Sequence, residues 1–176
     1  GEDGNMEYRT ELMRLIDSFN IQAVEEFKEA ENRIVLDSKF RTIMKKKDYS
    51  GHIETLRRVK NSAQKIDPKA VEIPSDDTLA ADIETAFERC LLTFSNVCDS
   101  YIKMQQALKD KAEKKRDISY GEFKELNRKT RDLRARLNSE MHEMDVLYSD
   151  LVEYVDDDTH EDFGGVQYRT YDSFTD

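Results

Sequence analysis

All-α, and specifically an elongated antiparallel helical bundle of three long helices plus a shorter one, is the fold this sequence predicts. Three observations carry the prediction. Only 6 Gly and 2 Pro occur in 176 residues, so the chain is poor in turn formers. Charged side chains make up 38% of it and mean hydropathy is −0.82, a composition rich in residues that favour helices and solvated helix faces. Finally, apolar residues recur every three or four positions through most of the length. A β-sandwich or barrel is excluded by the same composition. Disorder, the first expectation for so charged a chain, is argued against by the periodicity.

The first helical pattern covers residues 6 to 47, with Tyr8, Leu12, Ile16, Phe19, Ala23, Phe27, Ala30 and Ile34 on one stripe. The stripe then shifts phase to Leu36, Phe40, Ile43 and Met44, which predicts a break, a kink or a change of packing partner between Arg33 and Ser38. Asp48, Tyr49, Ser50 and Gly51 read as a tight reversal with Ser50 as N-cap. A shorter helix follows to about residue 65 on Ile53, Leu56, Val59, Ala63 and Ile66. Both prolines, Pro68 and Pro74, fall between Asp67 and Asp77. They forbid a helix interior there and mark a linker, and Ala70, Val71 and Ile73 predict that it lies along the bundle. Asp76 or Asp77 caps the next helix.

From Leu79 the seam Ile83, Phe87, Cys90, Phe94, Val97, Tyr101, Met104 and Leu108 alternates steps of three and four, which is coiled-coil-like packing. After a loop at 113 to 117, Ser119 and Glu122 make a capping box and Ile118 and Phe123 a hydrophobic staple. The last helix is predicted to run to about residue 155 on Leu126, Thr130, Leu133, Leu137, Met141, Met144, Tyr148, Leu151 and Val155. Two helices of about 35 residues, each ~50 Å long, joined by so short a loop must lie antiparallel. The domain organisation is a helical bundle over 1–155 and a non-helical, acidic and aromatic C-terminal tail over 156–176. In the tail Phe163, Tyr168, Tyr171 and Phe174 are the candidate contacts.

Net charge is −10, yet the charge is segregated. Residues 33–66 carry +7 and 89–138 carry +6, against −6 for 1–32, −6 for 67–88 and −11 for 139–176. An up-and-down bundle places both basic blocks at one end. That tip, with Arg41, Lys45, Lys46, Lys47, Arg57, Arg58, Lys109, Lys111, Lys114, Lys115 and Arg116, is the candidate site for an anionic partner. The structural alternative is that Lys and Arg collect at helix C-termini to complement the macrodipole. That alternative does not reach Arg128, Lys129, Arg131, Arg134 and Arg136 near the start of the last helix.

No catalytic, cofactor or metal site is expected. His52, His142 and His160 make no paired Glu-x-x-His motif. The run Asp156, Asp157, Asp158, His160, Glu161, Asp162 lacks the glycine and bidentate glutamate of a calcium loop. Glycine-rich phosphate loops are absent. Cys90 and Cys98, about 12 Å apart along one helix, cannot bridge each other and read as buried structural thiols. Whole-chain charge disfavours nucleic acid, and no apolar run reaches the ~18 residues needed to cross a bilayer.

The reading that follows is a noncatalytic helical-bundle protein, an interaction or scaffold module whose partner is another protein. The alternatives are an exported or surface-tethered bacterial (lipo)protein of structural role, and a binder of an anionic partner through the basic tip. Heptad seams leave a homo-oligomer open. The chain starts at Gly1 rather than Met, which leans the expected compartment weakly toward export, with a cytoplasmic adaptor as the alternative.

Overall fold

The computed structural model describes the backbone of residues 2–39 and 47–159, and side chains within 7–38 and 47–153. Helices α1 (Glu2–Phe19) and α2 (Glu25–Lys39) are joined by a π turn (Asn20–Val24) into one rod. Then come α3 (Tyr49–Gln64), a short 3-10 turn (Pro68–Ala70), α4 (Thr78–Ala112) and α5 (Tyr120–Thr159). Four helical rods pack against one another, and no strand occurs among the described residues.

The apolar stripes meet in one core. From the first rod Leu12, Met13, Ile16, Phe19, Ala23, Phe27 and Ala30 are buried, from α3 Leu56, Val59 and Ala63, from α4 Ile83, Phe87, Cys90, Phe94 and Val97. From α5 come Leu137, Met141, Met144, Tyr148 and Leu151. Aromatic rings of the first rod and α4 alternate along the centre. Phe19 sits 5.7 Å from Phe87 and 5.2 Å from Phe94, and Phe27 5.4 Å from Phe94 and 5.9 Å from Tyr101. Each fully buried Phe contributes roughly 2 to 3 kcal/mol through removal of its ring from water, and the tilted and edge-on pairings add to that.

The rod runs up, α3 down, α4 up and α5 down. Arg9 of α1 meets Asp77 at the start of α4 (2.7 Å), His52 of α3 meets Asp37 of α2 (2.7 Å), and the Tyr148 hydroxyl of α5 donates to Asp17 of α1 (3.2 Å). With 16 residues against 35 in α4, α3 fills only about half of its corner of the bundle. The other half is filled by the extended stretch before α4, in which Pro68 and Val71 are buried and Ile73 packs on the core, with Lys69 3.9 Å from Glu88. The linker therefore lies along the bundle, as its apolar residues predict, although Ala70 itself is exposed.

Asp77 is the hub of the lower end. Its carboxylate accepts from Arg9 Nε (2.7 Å) and Nη2 (2.8 Å), from the Tyr8 hydroxyl, and, as N-cap of α4, from the Ala80 N–H (3.0 Å). The Arg9 and Asp77 side chains are only 9% and 7% exposed. Burial pushes the Asp77 carboxyl up, but the bonds from Arg9, Tyr8 and Ala80 outweigh it and hold the group at about 2. A second polar tie sits higher. Glu31 of α2 accepts from Tyr101 of α4 (2.7 Å) and from Arg134 Nε of α5 (2.7 Å), and the Arg134 guanidinium also lies 5.5 Å from the Phe27 ring centre.

Several boundaries differ from the sequence expectation. The first rod stays helical through Arg33 to Ser38, and its irregularity lies earlier, where the Glu25 N–H reaches back to the Asn20 carbonyl. The phase shift at Leu36 arises because the helix outlasts the core: Val35 and Leu36 are 41% and 52% exposed. Asp48, not Ser50, caps α3, its side chain accepting from the Gly51 N–H (3.0 Å). Glycine at 51 makes room for that cap, since a Cβ there would fall 2.1 Å from Asp48 Oδ2. At the far end α5 continues to Thr159, so Asp156, Asp157 and Asp158 are helical rather than part of a non-helical tail. With no Gly or Pro between Val155 and Gly164, nothing in the sequence stops the helix at 155. The Ser119 cap holds, its hydroxyl accepting from the Glu122 N–H (3.1 Å).

Candidate functional site

The bundle brings the described part of the basic tip together at one end, where α3 begins, α4 ends and the loop to α5 crosses. Lys111, Lys114, Lys115 and Arg116 are exposed in the last turn of α4 and the loop after it. Lys114 adopts a left-handed backbone (φ 58°), and beyond it the Lys115 N–H returns to the Asp110 carbonyl (2.9 Å), a helix ending for which glycine is the usual choice. Arg57 and Arg58 are exposed on α3, and Lys47 is half-buried just before it. Arg41, Lys45 and Lys46 lie outside the described residues, as do Phe163, Tyr168, Tyr171 and Phe174 of the tail.

Between α3 and α4 runs an open furrow of about 620 Å³. Its α3 wall carries Arg57, Arg58 and Lys65 with the amide and hydroxyl of Asn61 and Ser62, and its α4 wall carries Gln106 and Lys109. Ile53, 6% exposed, forms part of the floor. Ser50 and Lys109 also line the adjoining hollow with Lys47, Tyr49 and Glu113, so the two depressions meet at the tip. In the second hollow, burial and then the Asp37 carboxylate push the Tyr49 phenol upward. Acidic side chains are present but fewer: Glu54 lines the furrow, Asp48 and Glu113 the hollow.

The cations differ in what holds them. Arg58 donates to Glu26 across to α2, a bond that raises its pKa. Lys109 lies 4.0 Å and Lys115 3.1 Å from Glu113, and Arg116 4.0 Å from Glu122. On α5, by contrast, three of the five basic residues that macrodipole complementarity leaves over are built into ion pairs. Arg128 bridges Glu125 and Asp132, Arg134 reaches Glu31, and Arg136 bonds Glu140 (3.0 Å). These three are tied within or between the rods, whereas Lys124, Lys129 and Arg131 of the same helix are exposed, so α5 carries outward basic residues besides those of the furrow and the tip.

Sequence reasoning missed Lys65, Asn61, Ser62 and Gln106 as members of this surface. Arg57, Asn61 and Lys65 follow one helical stripe at spacings of four, and extending the basic tip down that stripe from Arg57 finds them. The two cysteines, both free and buried, lie elsewhere: Cys90 Sγ is 3.1 Å from Met141 Sδ, and burial drives both thiols strongly upward. His142 is exposed on α5. Among the described residues no three His, Cys, Asp or Glu side chains gather where they would hold a metal ion, and no helix is long and apolar enough to cross a membrane.

No protein-family model, no curated protein and no solved structure matches the chain.

Proposed function

We propose that the chain is a noncatalytic helical-bundle module that binds another protein through its basic end. One observation carries this reading: in a chain of net charge −10, Arg57 of α3 and Lys111, Lys114, Lys115 and Arg116 around the α4–α5 loop are exposed toward one end, while Arg58 and Lys60 of α3, like Arg9, Arg134 and Arg136, are held in ion pairs within or between the rods. Such segregation sets up a local positive potential that steers an acidic surface toward one face and repels it elsewhere. Macrodipole complementarity accounts for Lys109 and Lys111 at the end of α4. It does not account for Arg57 and Arg58, which lie in the middle of α3 rather than in its last turn.

Site-specific photo-crosslinking tests the reading. A benzophenone amino acid placed at Lys111, on the basic end, is expected to trap a discrete protein adduct in a lysate of the source organism, and the adduct fades at high salt. The same probe at Asp82, exposed near the start of α4, traps none. Equal adducts at both positions, or adducts indifferent to salt, overturn the proposal.

A further inference from the structure

Resting on the reading of the basic end as a protein-binding surface, we infer that the furrow between α3 and α4 is the seat of an acidic helical segment of the partner. Shape and charge both point there. A compact anion such as phosphate is held by donors converging on one point. Here Arg57 and Lys65 stand eight residues apart on α3, about 12 Å along the axis, with Asn61 between them and Lys109 on the opposite wall. The cations form a line rather than a cradle.

The furrow is open and lies parallel to two helices, so a third helix fits it as a ridge fits a groove. Carboxylates two turns apart on such a segment meet Arg57 and Lys65 together, and Asn61, Ser62 and Gln106 offer uncharged hydrogen bonds between them. Ile53 on the floor gives an apolar contact for one small side chain. Glu54 at the edge of the furrow disfavours a uniformly acidic ligand and selects one whose carboxylates keep to the Arg57 to Lys65 stretch. A nucleic acid is the poorer fit, because its evenly spaced phosphates meet Glu54, Asp48 and Glu113 as well as the cations, on a chain whose whole charge is −10.

The test uses fluorescence anisotropy with the full chain and a fluorescein-labelled 18-residue alanine-based helical peptide carrying Glu at three central positions four residues apart, matching the Arg57 to Lys65 stretch, and no other acidic residue. A matched peptide with Gln in place of Glu and a labelled 18-nucleotide oligo-dT serve as comparisons. Expected is binding of the Glu peptide at least tenfold tighter than the Gln peptide or the oligonucleotide, weakening as salt rises. The variant R57E/K65E, and the milder R57Q/K65Q, lose that binding by tenfold or more with unchanged circular dichroism. K124E/K129E, with the same charge change placed on exposed α5 residues, alters it less than twofold.

Equal losses in R57E/K65E and K124E/K129E overturn the furrow assignment, because the effect then follows net charge. Tighter binding of the oligonucleotide overturns the acidic helix as occupant. No binding of the Glu peptide by the wild-type chain overturns the inference as a whole. A salt-sensitive crosslink at Lys111 that persists in R57E/K65E leaves the basic end as an interface while removing the furrow from it, so the two failures are distinguishable.

Discussion

At the lower end of the bundle an arginine and a carboxylate pair in the interior, whereas toward the upper end a group of cations stands exposed, and the contrast separates charges that hold the fold from charges available to a partner. Arg9, Asp77 and Tyr8 close the lower end as a buried hub in which one carboxylate accepts from two side chains and a helix N-terminus. Toward the upper end Arg57, Lys111 and Lys114 are exposed, as is Lys65 at the lower end of α3. The halves of α5 repeat the difference. Leu137, Met141, Met144, Tyr148, Leu151 and Val152 are buried, whereas before Leu137 the only buried position is Thr130, whose hydroxyl shares a 2.6 Å hydrogen bond with Ser100. Hydrophobic burial is concentrated toward the acidic end, and the basic end is held by caps, ion pairs and a thinner apolar layer.

The largest expected effect comes from the middle of the aromatic row. Phe94 touches both Phe19 and Phe27 and is fully buried, so Phe94→Ala is expected to cost about 3 to 5 kcal/mol in urea unfolding, from lost burial and the cavity left behind. A loss under about 1 kcal/mol would contradict the packing described.

Next is the hub. Asp77→Ala leaves Arg9 buried without its carboxylate and uncaps α4, which is expected to cost about 3 kcal/mol. Because the folded Asp77 group titrates at about 2, below its ordinary value of 3.8, its contribution is complete above pH 4 and is lost as pH falls from about 4 to about 2. The contribution is ~2 kcal/mol, and a wild-type chain whose acid unfolding matches that of Asp77→Ala shows the hub to be absent.

At the basic end the expected effect is smaller and of opposite sign. Lys114 holds φ 58°, a left-handed conformation that costs a residue with a Cβ roughly 1 kcal/mol. Lys114→Gly is therefore expected to stabilise the chain by ~0.5 to 1 kcal/mol, read from the shift in urea midpoint. A destabilised variant indicates that the Lys114 side chain does structural work at the loop.

The features readable from sequence were those written in local periodicity. The seams of α4 and α5 put Phe87, Cys90, Phe94, Leu137, Met141 and Tyr148 in the core, and Ser119 and Asp77 mark helix starts by short-range capping chemistry. The π turn at Asn20–Val24 carries no local signature, because the stripe Phe19, Ala23, Phe27 continues through it unbroken. That Asp48 rather than Ser50 caps α3 depends on the space left by Gly51, two residues past Tyr49. The tie of Glu31 to Arg134 joins positions 103 apart, and periodicity carries no information about which charged residues of different helices face each other. For the candidate site, the segregation of charge was legible by counting, and the membership of Lys65 in the furrow required knowing that α3 lies against the last turns of α4.

The most direct measurement of the claim that the two ends use charge differently is a side-by-side urea titration of Asp77→Ala and R57E/K65E at neutral pH. The account predicts a loss of about 3 kcal/mol for the first and less than about 0.5 kcal/mol for the second, as expected for exposed substitutions away from structural contacts. A comparable loss in R57E/K65E would show that the furrow cations hold the bundle together, and would contradict their assignment to a partner.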